Sequence, residues 1–479
     1  MIKGYLPKDE RKKILLLTDD IRVHSGVAHI AREMVINTCH RYNWVQLAGA
    51  IKHPDAGKRM DLSQDTSNKT GVTDASVILY PTDGYGDPYL LRRIIELEKP
   101  DALFLITDPR YFNWVFEMEN KIRKNIPIVY LNIWDSPPLP AYNTEFYESC
   151  DALFGISKQT SLINQIVLDK KADKKVIKYV PHGLDPKTFY PIKKDHTEYN
   201  ELKSFSQQLF NGKTYDFTLL FNSRNVRRKN IPDTILAWKL FTDSLPKEEA
   251  TKCALVLHTN PIDENGTDLP AVIDYFCEEG INNVLISAQR LDAKHINYLY
   301  NIADGTILLS TNEGWGLALT ESLLTGTPFI ANVTGGMQDQ MRFVDNEGNW
   351  FNPSHQIPSN HRGTFKKHGK WALPVFPSNL SLVGSVPTPY IFDDRCRFED
   401  AALQIEQLYK MSKEQREQIG EEGRQWASSQ EAGFTSEVMS QRIIEGMDEL
   451  FEKWQPRESY EFLSVDEYQP RKLKHNLIY

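Results

Sequence analysis

Short apolar runs alternate with helical stretches along nearly the whole chain, and that alternation admits little besides a parallel, doubly wound α/β sheet. In the first part, the runs at 14–18, 102–106, 126–131, 152–156 and 176–180 read as strands. Helical stretches at 27–39, entered from His24-Ser25-Gly26, and at 90–98 lie among them, and Ser157 opens another. The series ends at Pro181-His182-Gly183-Leu184-Asp185. A polar stretch, 192–215, interrupts the pattern. It resumes with strands at 217–221, 254–258 and 283–286 and helices at 232–241, 269–278 and 293–301. Two Rossmann-like halves joined near residue 195 follow, and 479 residues suffice for each to bury its own core. The expected division is 1–195, then 196–435 with an insertion at 348–392, then a C-terminal helix and tail at 436–479. Helices are expected at 398–409, 413–428 and 436–452, ahead of the tail QPRKLKHNLIY.

Residues 310–339, STNEGWGLALTESLLTGTPFIANVTGGMQD, point to a site. A buried strand at 306–309 leads into a polar turn with Asn312, Glu313, Gly314 and Gly316. The helix Leu317–Leu324 follows, stopped by Gly326 and Pro328, and 329–331 makes another strand. In a parallel sheet such a turn lies at the carboxyl ends of the strands, where ligands bind. Glu313 and Glu321 can point into one crevice, and the helix start offers free backbone N–H groups to an anion or to sugar hydroxyls. Glycine at 314 and 316 lets the backbone approach a ligand closely.

A second stretch, Phe221-Asn222-Ser223-Arg224-Asn225-Val226-Arg227-Arg228-Lys229-Asn230, follows the first strand of the second half. Cations at a strand-to-helix turn suit a diphosphate, because side chains and helix dipole act together. Alone, such a turn is more often a solvated basic surface. Beside the Glu313/Glu321 turn, the binding reading is preferred.

Bulk properties remove several classes. A net charge of −8 and a pI near 5.9 argue against coating nucleic acid non-specifically. The five cysteines are scattered and form no C-x-x-C pair, which fits reduced thiols and a cytoplasmic location. The amino terminus is too charged for a secretory signal, and no stretch approaches the ~20 apolar residues a membrane span needs. One segment departs from the acidic average: 348–392 contains no Asp or Glu, but has Arg362, Lys366, Lys367 and Lys370. A long structured loop is expected there, either functional or a surface excursion that lacks acid.

With these residues in place, the chain resembles a retaining glycosyltransferase of family 4, with the two-Rossmann-domain GT-B architecture. Glu313-x7-Glu321 is similar to that family's E-x7-E signature. Arg224 and Lys229 match its paired Arg and Lys, and Ser25-Gly26-Val27 its glycine turn. Pro181-His182-Gly183-Leu184-Asp185 with Phe189, and Asp151-Ala152 with Ser157, resemble the closing stretches of its first domain. The match runs over most of 13–340. It implies two lobes facing a central cleft, with the C-terminal helix returning to the first.

The resemblance also implies roles. Arg224 and Lys229 would neutralise the donor diphosphate, and Glu321 would hold the ribose. Glu313, with the backbone of Gly314, Trp315, Gly316 and Leu317, would hold the sugar, and Gly26 would let the first domain approach the phosphates. Anomeric configuration would be kept, the leaving phosphate taking the acceptor proton, with neither metal nor other cofactor. Many members carry a histidine after the fourth strand of the first domain. Here Trp134 and Asp135 occupy that place, so Asp135 is the candidate acceptor-facing group, with a turn aspartate as the alternative reading. His24 is a second acceptor-side candidate. The base pocket is expected near Asn260 and 287–291.

The expected activity is hexosyl or pentosyl transfer from a nucleotide-diphosphate sugar. The acceptor stays open among glycan, small molecule and modified DNA. The acid-free segment and the Trp134-Asp135 turn give a general likeness, without a motif, to tailed-phage sugar transferases that decorate hydroxymethylated DNA bases. Nucleotide-sugar epimerase and non-catalytic sugar-nucleotide binding remain as alternatives.

Overall fold

The computed structural model describes residues 4–458; the tail 469–479 lies outside the described residues. The first lobe is built on β1 (Lys12–Asp19), β2 (Tyr42–Gly49), β3 (Met60–Asp61), β4 (Val77–Pro81), β5 (Ala102–Ile106), β6 (Ile128–Asn132), β7 (Ala152–Gly155) and β8 (Val176–Tyr179). They form one sheet in the order β3-β4-β2-β1-β5-β6-β7-β8, in which only the edge strand β3 runs antiparallel. β1, KKILLLTD, is buried over its last six positions, as expected of a strand covered by helices on both faces.

The second lobe carries β9 (Phe217–Asn222), β10 (Cys253–His258), β11 (Val284–Ser287), β12 (Gly305–Leu308), β13 (Phe329–Asn332) and β14 (Ala372–Val375). Its order is β11-β10-β9-β12-β13-β14, all parallel. Both sheets therefore reverse winding direction beside their first strand, at β1/β5 and at β9/β12. The crevices beyond the carboxyl ends at these switch points are where this topology binds ligands.

Three strands of the first sheet, β2, β3 and β4, are not among those expected from sequence. β2 carries Asn43 and Gln46, which are nevertheless buried because each is hydrogen-bonded: Asn43 Nδ2 donates to Lys8 O at 2.8 Å and Gln46 Nε2 to Asp19 O at 2.7 Å. The 348–392 segment also differs from the long loop expected. It contains β14, whose Pro374 is tolerated because the strand is a sheet edge, and most of an antiparallel hairpin, β15 (Asn379–Ser385) with β16 (Thr388–Arg395).

The helix Ser436–Lys453 crosses back to the first lobe. Gly446 lies so close to it that an added Cβ would be 2.6 Å from Phe154 Cζ, and Arg41 pairs with Asp448 at 3.0 Å. The crossing is fixed at Gly183-Leu184, where Leu184 N donates to Phe434 O at 3.1 Å and Ser436 N to Leu184 O at 2.9 Å. Among the described residues, no helix is long and apolar enough to cross a membrane.

Candidate active site

The second-lobe half of the site forms at the carboxyl ends of β9 and β12. After β9 the chain makes a tight turn at Arg227–Lys229, passes through Asn230 at φ 49°, and enters the helix Ile231–Asp243. That turn directs Lys229 inward, 7% exposed, with its Nζ on Glu313 Oε2. Arg228 Nη1 reaches the same oxygen at 2.8 Å and also donates to Asn312 O at 2.8 Å. Burial alone would raise the Glu313 carboxyl, but Arg228 and Lys229 outweigh it and draw it down to about 2. Glu313 is thus ionised at neutral pH, and two cations share one carboxylate. The surplus positive charge suits an anion such as a diphosphate.

Glu321 stands one turn into the helix Leu317–Leu324, which starts after Gly316 at φ 85°. Tyr300 Oη donates to its Oε2 at 2.5 Å and Asn222 Nδ2 to the same atom at 3.2 Å. Oε1 has no partner among the described residues and is available to a ligand hydroxyl. Burial raises this carboxyl, and the two donors oppose the rise. Trp315 is buried at 2% exposure, its Nε1 donating to Thr320 Oγ1 at 2.8 Å and its ring edge-on to Phe434 at 4.9 Å. Its ring serves the core, so only its backbone remains for a ligand.

The first lobe closes the site from the opposite side. Ser25 caps the helix Gly26–Thr38, accepting from Ala28 N at 3.0 Å while donating to Asp19 Oδ2 at 2.6 Å. A Cβ on Gly26 would lie 3.2 Å from Leu317 Cδ1, so the amino-terminal ends of two helices, one per lobe, meet across the cleft. Both bring partial positive charge to the same place. A Cβ on Gly314 would sit 2.9 Å from Ile133 O, so glycine there lets the two backbones touch. His24 is exposed on the rim, held below its ordinary value by desolvation and by Arg290 of the second lobe.

Asp135 faces this junction. It is half-buried, accepts from Ser136 Oγ at 3.0 Å, and its own carbonyl accepts from Gln159 Nε2 at 2.9 Å. Burial raises its carboxyl, and Arg228 opposes that. The Ser136 hydroxyl and the backbone N–H of Asp135 itself also oppose the rise.

Lys229, Glu313, Gly314, Gly316, Leu317, Glu321, Gly26 and Asp135 are therefore gathered around one cleft. Arg224 is not part of the Glu313 cluster: its side chain is 63% exposed and its Nε pairs with Asp263 Oδ2 at 3.1 Å. Arg228, and not Arg224, stands beside Glu313. Four cations in ten residues signalled the turn, but which one faces inward depends on the backbone twist at Arg227–Asn230. The loops expected to hold the base lie beyond β10 and β11, where Asn260 O accepts from Asn225 Nδ2 at 3.2 Å and His258 Nδ1 lies 3.0 Å from Ser287 Oγ. Tyr300, which orients Glu321, and Asp394, described below, carried no sequence signal.

Residues 203–357 match the family model described as Glycosyl transferases group 1. No protein of curated function matches the chain in sequence. Among solved structures, HepE of Anabaena in complex with UDP and glucose superposes with a TM-score of 0.62 at 14% identity, covering 92% of this chain and 100% of that one. Sucrose-phosphate synthase of Thermosynechococcus elongatus gives 0.62 at 14% identity, with 92% and 100% covered. The α,α-trehalose 6-phosphate synthase of Burkholderia multivorans gives 0.58 at 10% identity, with 92% and 99% covered. The chain has the GT-B fold of these structures, two Rossmann-like domains facing a cleft.

Proposed function

We propose that the protein is a glycosyltransferase that moves a sugar from a nucleoside-diphosphate sugar to a hydroxyl acceptor with retention of anomeric configuration. The observation that carries this reading is the convergence of Arg228 and Lys229 on Glu313, opposite Gly26 and at the mouth of two helix amino termini. The family match over 203–357 and the likeness to the HepE structure in complex with UDP and glucose support a sugar-nucleotide donor.

In this reading Arg228, Lys229 and the two helix ends hold the diphosphate, and Glu321 Oε1 accepts from the ribose. The backbone from Gly314 to Leu317 lies along the sugar, and Glu313 positions it. The acceptor oxygen forms a bond to the anomeric carbon as the bond from that carbon to the diphosphate breaks. The electron pair leaves with the diphosphate, whose oxygen takes the acceptor proton. Arg228 and Lys229 stabilise the growing negative charge. Asp135 orients the acceptor hydroxyl. Charge neutralisation by these side chains calls for no metal ion.

A panel of nucleoside-diphosphate sugars, read by thermal shift and by nucleotide release with and without chelator, tests the reading. At least one donor should raise Tm and release nucleotide regardless of chelator. No shift with any donor would overturn it, and an epimerised sugar formed from donor alone would favour an epimerase.

A further inference from the structure

A cavity of about 510 Å³ opens beside the Glu313 cluster, on the first-lobe side. The loop after β5 supplies Asp108 and Arg110, the loop after β6 supplies Trp134 and Asp135, and Arg228 reaches in from the second lobe. Its remaining wall is the β15–β16 hairpin, through Val383, Gly384, Ser385, Thr388 and Ile391.

The hairpin belongs to one lobe and lies on the other. Its root is held in the second: Asp394 N donates to Thr311 O at 3.1 Å, Thr334 Oγ1 to Asp394 Oδ2 at 2.6 Å, and Asn332 Nδ2 to Asp394 O at 2.7 Å. Its outer strand rests on the first: Phe392 N donates to Pro137 O at 2.8 Å, and Tyr142 Oη to Tyr390 O at 2.8 Å. An antiparallel strand pair thus bridges the cleft and roofs the space between Trp134 and Arg228.

Two carboxylates, Asp108 and Asp135, and two guanidiniums, Arg110 and Arg228, line this space. Asp108 is paired with Arg110, Nε to Oδ1 at 2.7 Å, and Arg228 with Glu313 at 2.8 Å. Asp135 has a single side-chain bond, onto Oδ1, and so has acceptor capacity to spare. Pro109, Ile133, Trp134 and Ile391 add apolar surface. A chamber without net charge, with apolar and aromatic walls and an accepting carboxylate next to the reacting cluster, suits a neutral ring with hydroxyl groups. The volume falls within the ~300–1,000 Å³ of small-ligand pockets.

We propose that this chamber is the acceptor subsite, that it takes a neutral hydroxylated ring of one or two sugar units, and that the hairpin selects it. The proposal rests on the glycosyltransferase reading and deepens it. The acceptor hydroxyl donates to Asp135 and faces the sugar held at Glu313, while the hairpin's inner wall sets how large the rest of the acceptor can be.

The test titrates the full chain, saturated with nucleoside diphosphate, with the common methyl pyranosides, their disaccharides and a short DNA duplex, by calorimetry. At least one neutral sugar should bind, and Ser385→Trp, which fills the chamber from the roof, should weaken it tenfold or more. Val383→Trp repeats the test from a second position, and the Tm shift produced by nucleoside diphosphate reports whether each variant is folded. Three outcomes overturn the proposal: no neutral sugar binds while nucleoside diphosphate does, the sugars bind folded Trp variants as tightly as wild type, or only the duplex binds. If nucleoside diphosphate itself fails to bind wild type, the donor reading falls first, and the chamber's role with it.

Discussion

Arg228 Nη1 lies 2.8 Å from Glu313 Oε2, the same oxygen that Lys229 Nζ contacts. This makes the Arg of the inner cluster a different residue from Arg224, which turns outward to Asp263. Arg228→Ala is expected to lower kcat/KM by ~10²–10³-fold, the usual effect of removing one donor to developing transition-state charge. Arg224→Ala should lose less than tenfold. Steady-state kinetics on both variants decide the matter, and equal losses would return the role to Arg224.

Glu321 receives both its bonds on Oε2, from Tyr300 and Asn222. Glu321→Gln keeps the shape but removes the charge that strengthens a bond to a ribose hydroxyl, worth ~1.5–3 kcal/mol. Donor KM should rise by ~10–100-fold with kcat within a few-fold. An unchanged KM would place the ribose elsewhere.

Asp394 is 4% exposed, and its Oδ1 has no hydrogen-bond partner. Burial lifts its carboxyl from the ordinary 3.8 to about 7, with Thr334 opposing and Asp135 and Asp393 adding to the rise. A carboxyl raised in the folded state favours folding in its protonated form. That contribution is full below the unfolded value and is lost as pH rises through about 7. The Tm of wild type minus that of Asp394→Asn should therefore fall between pH 4 and pH 8. A difference that stays flat over that range would mean the group is not raised.

Gly314 touches the first lobe so closely that a Cβ would lie 2.9 Å from Ile133 O. Gly314→Ala should push the lobes apart at the reacting end, cutting turnover by at least tenfold while leaving the helical circular dichroism unchanged. A small increase in radius of gyration by X-ray scattering should accompany it. Wild-type turnover in this variant would show that the lobes need not meet there.

Much of the second lobe could be read in advance because its elements are apolar runs between glycine and proline breaks, as at the helix Leu317–Leu324 between Gly316 and Gly326. β2 was not legible because Asn43 and Gln46 interrupt its apolar run, and only their distant partners Lys8 and Asp19 make their burial acceptable. The hairpin escaped because the residues of β15 are mostly exposed or half-exposed and show no buried alternating face. At the site, the residue types were legible and their aim was not. Choosing Arg228 over Arg224 required the turn at Arg227–Lys229 and the left-handed Asn230.

The helix Ser436–Lys453 rests on β7 and β8, so the lobe that leaves the ribosome first lacks this piece until the second lobe has been made. The later-made lobe has every strand of its six-stranded sheet by Val375 and can consolidate while the earlier one still waits with Phe154 uncovered. Order of synthesis and order of completion are thus reversed, and a fragment cut between the lobes would recover only one of them.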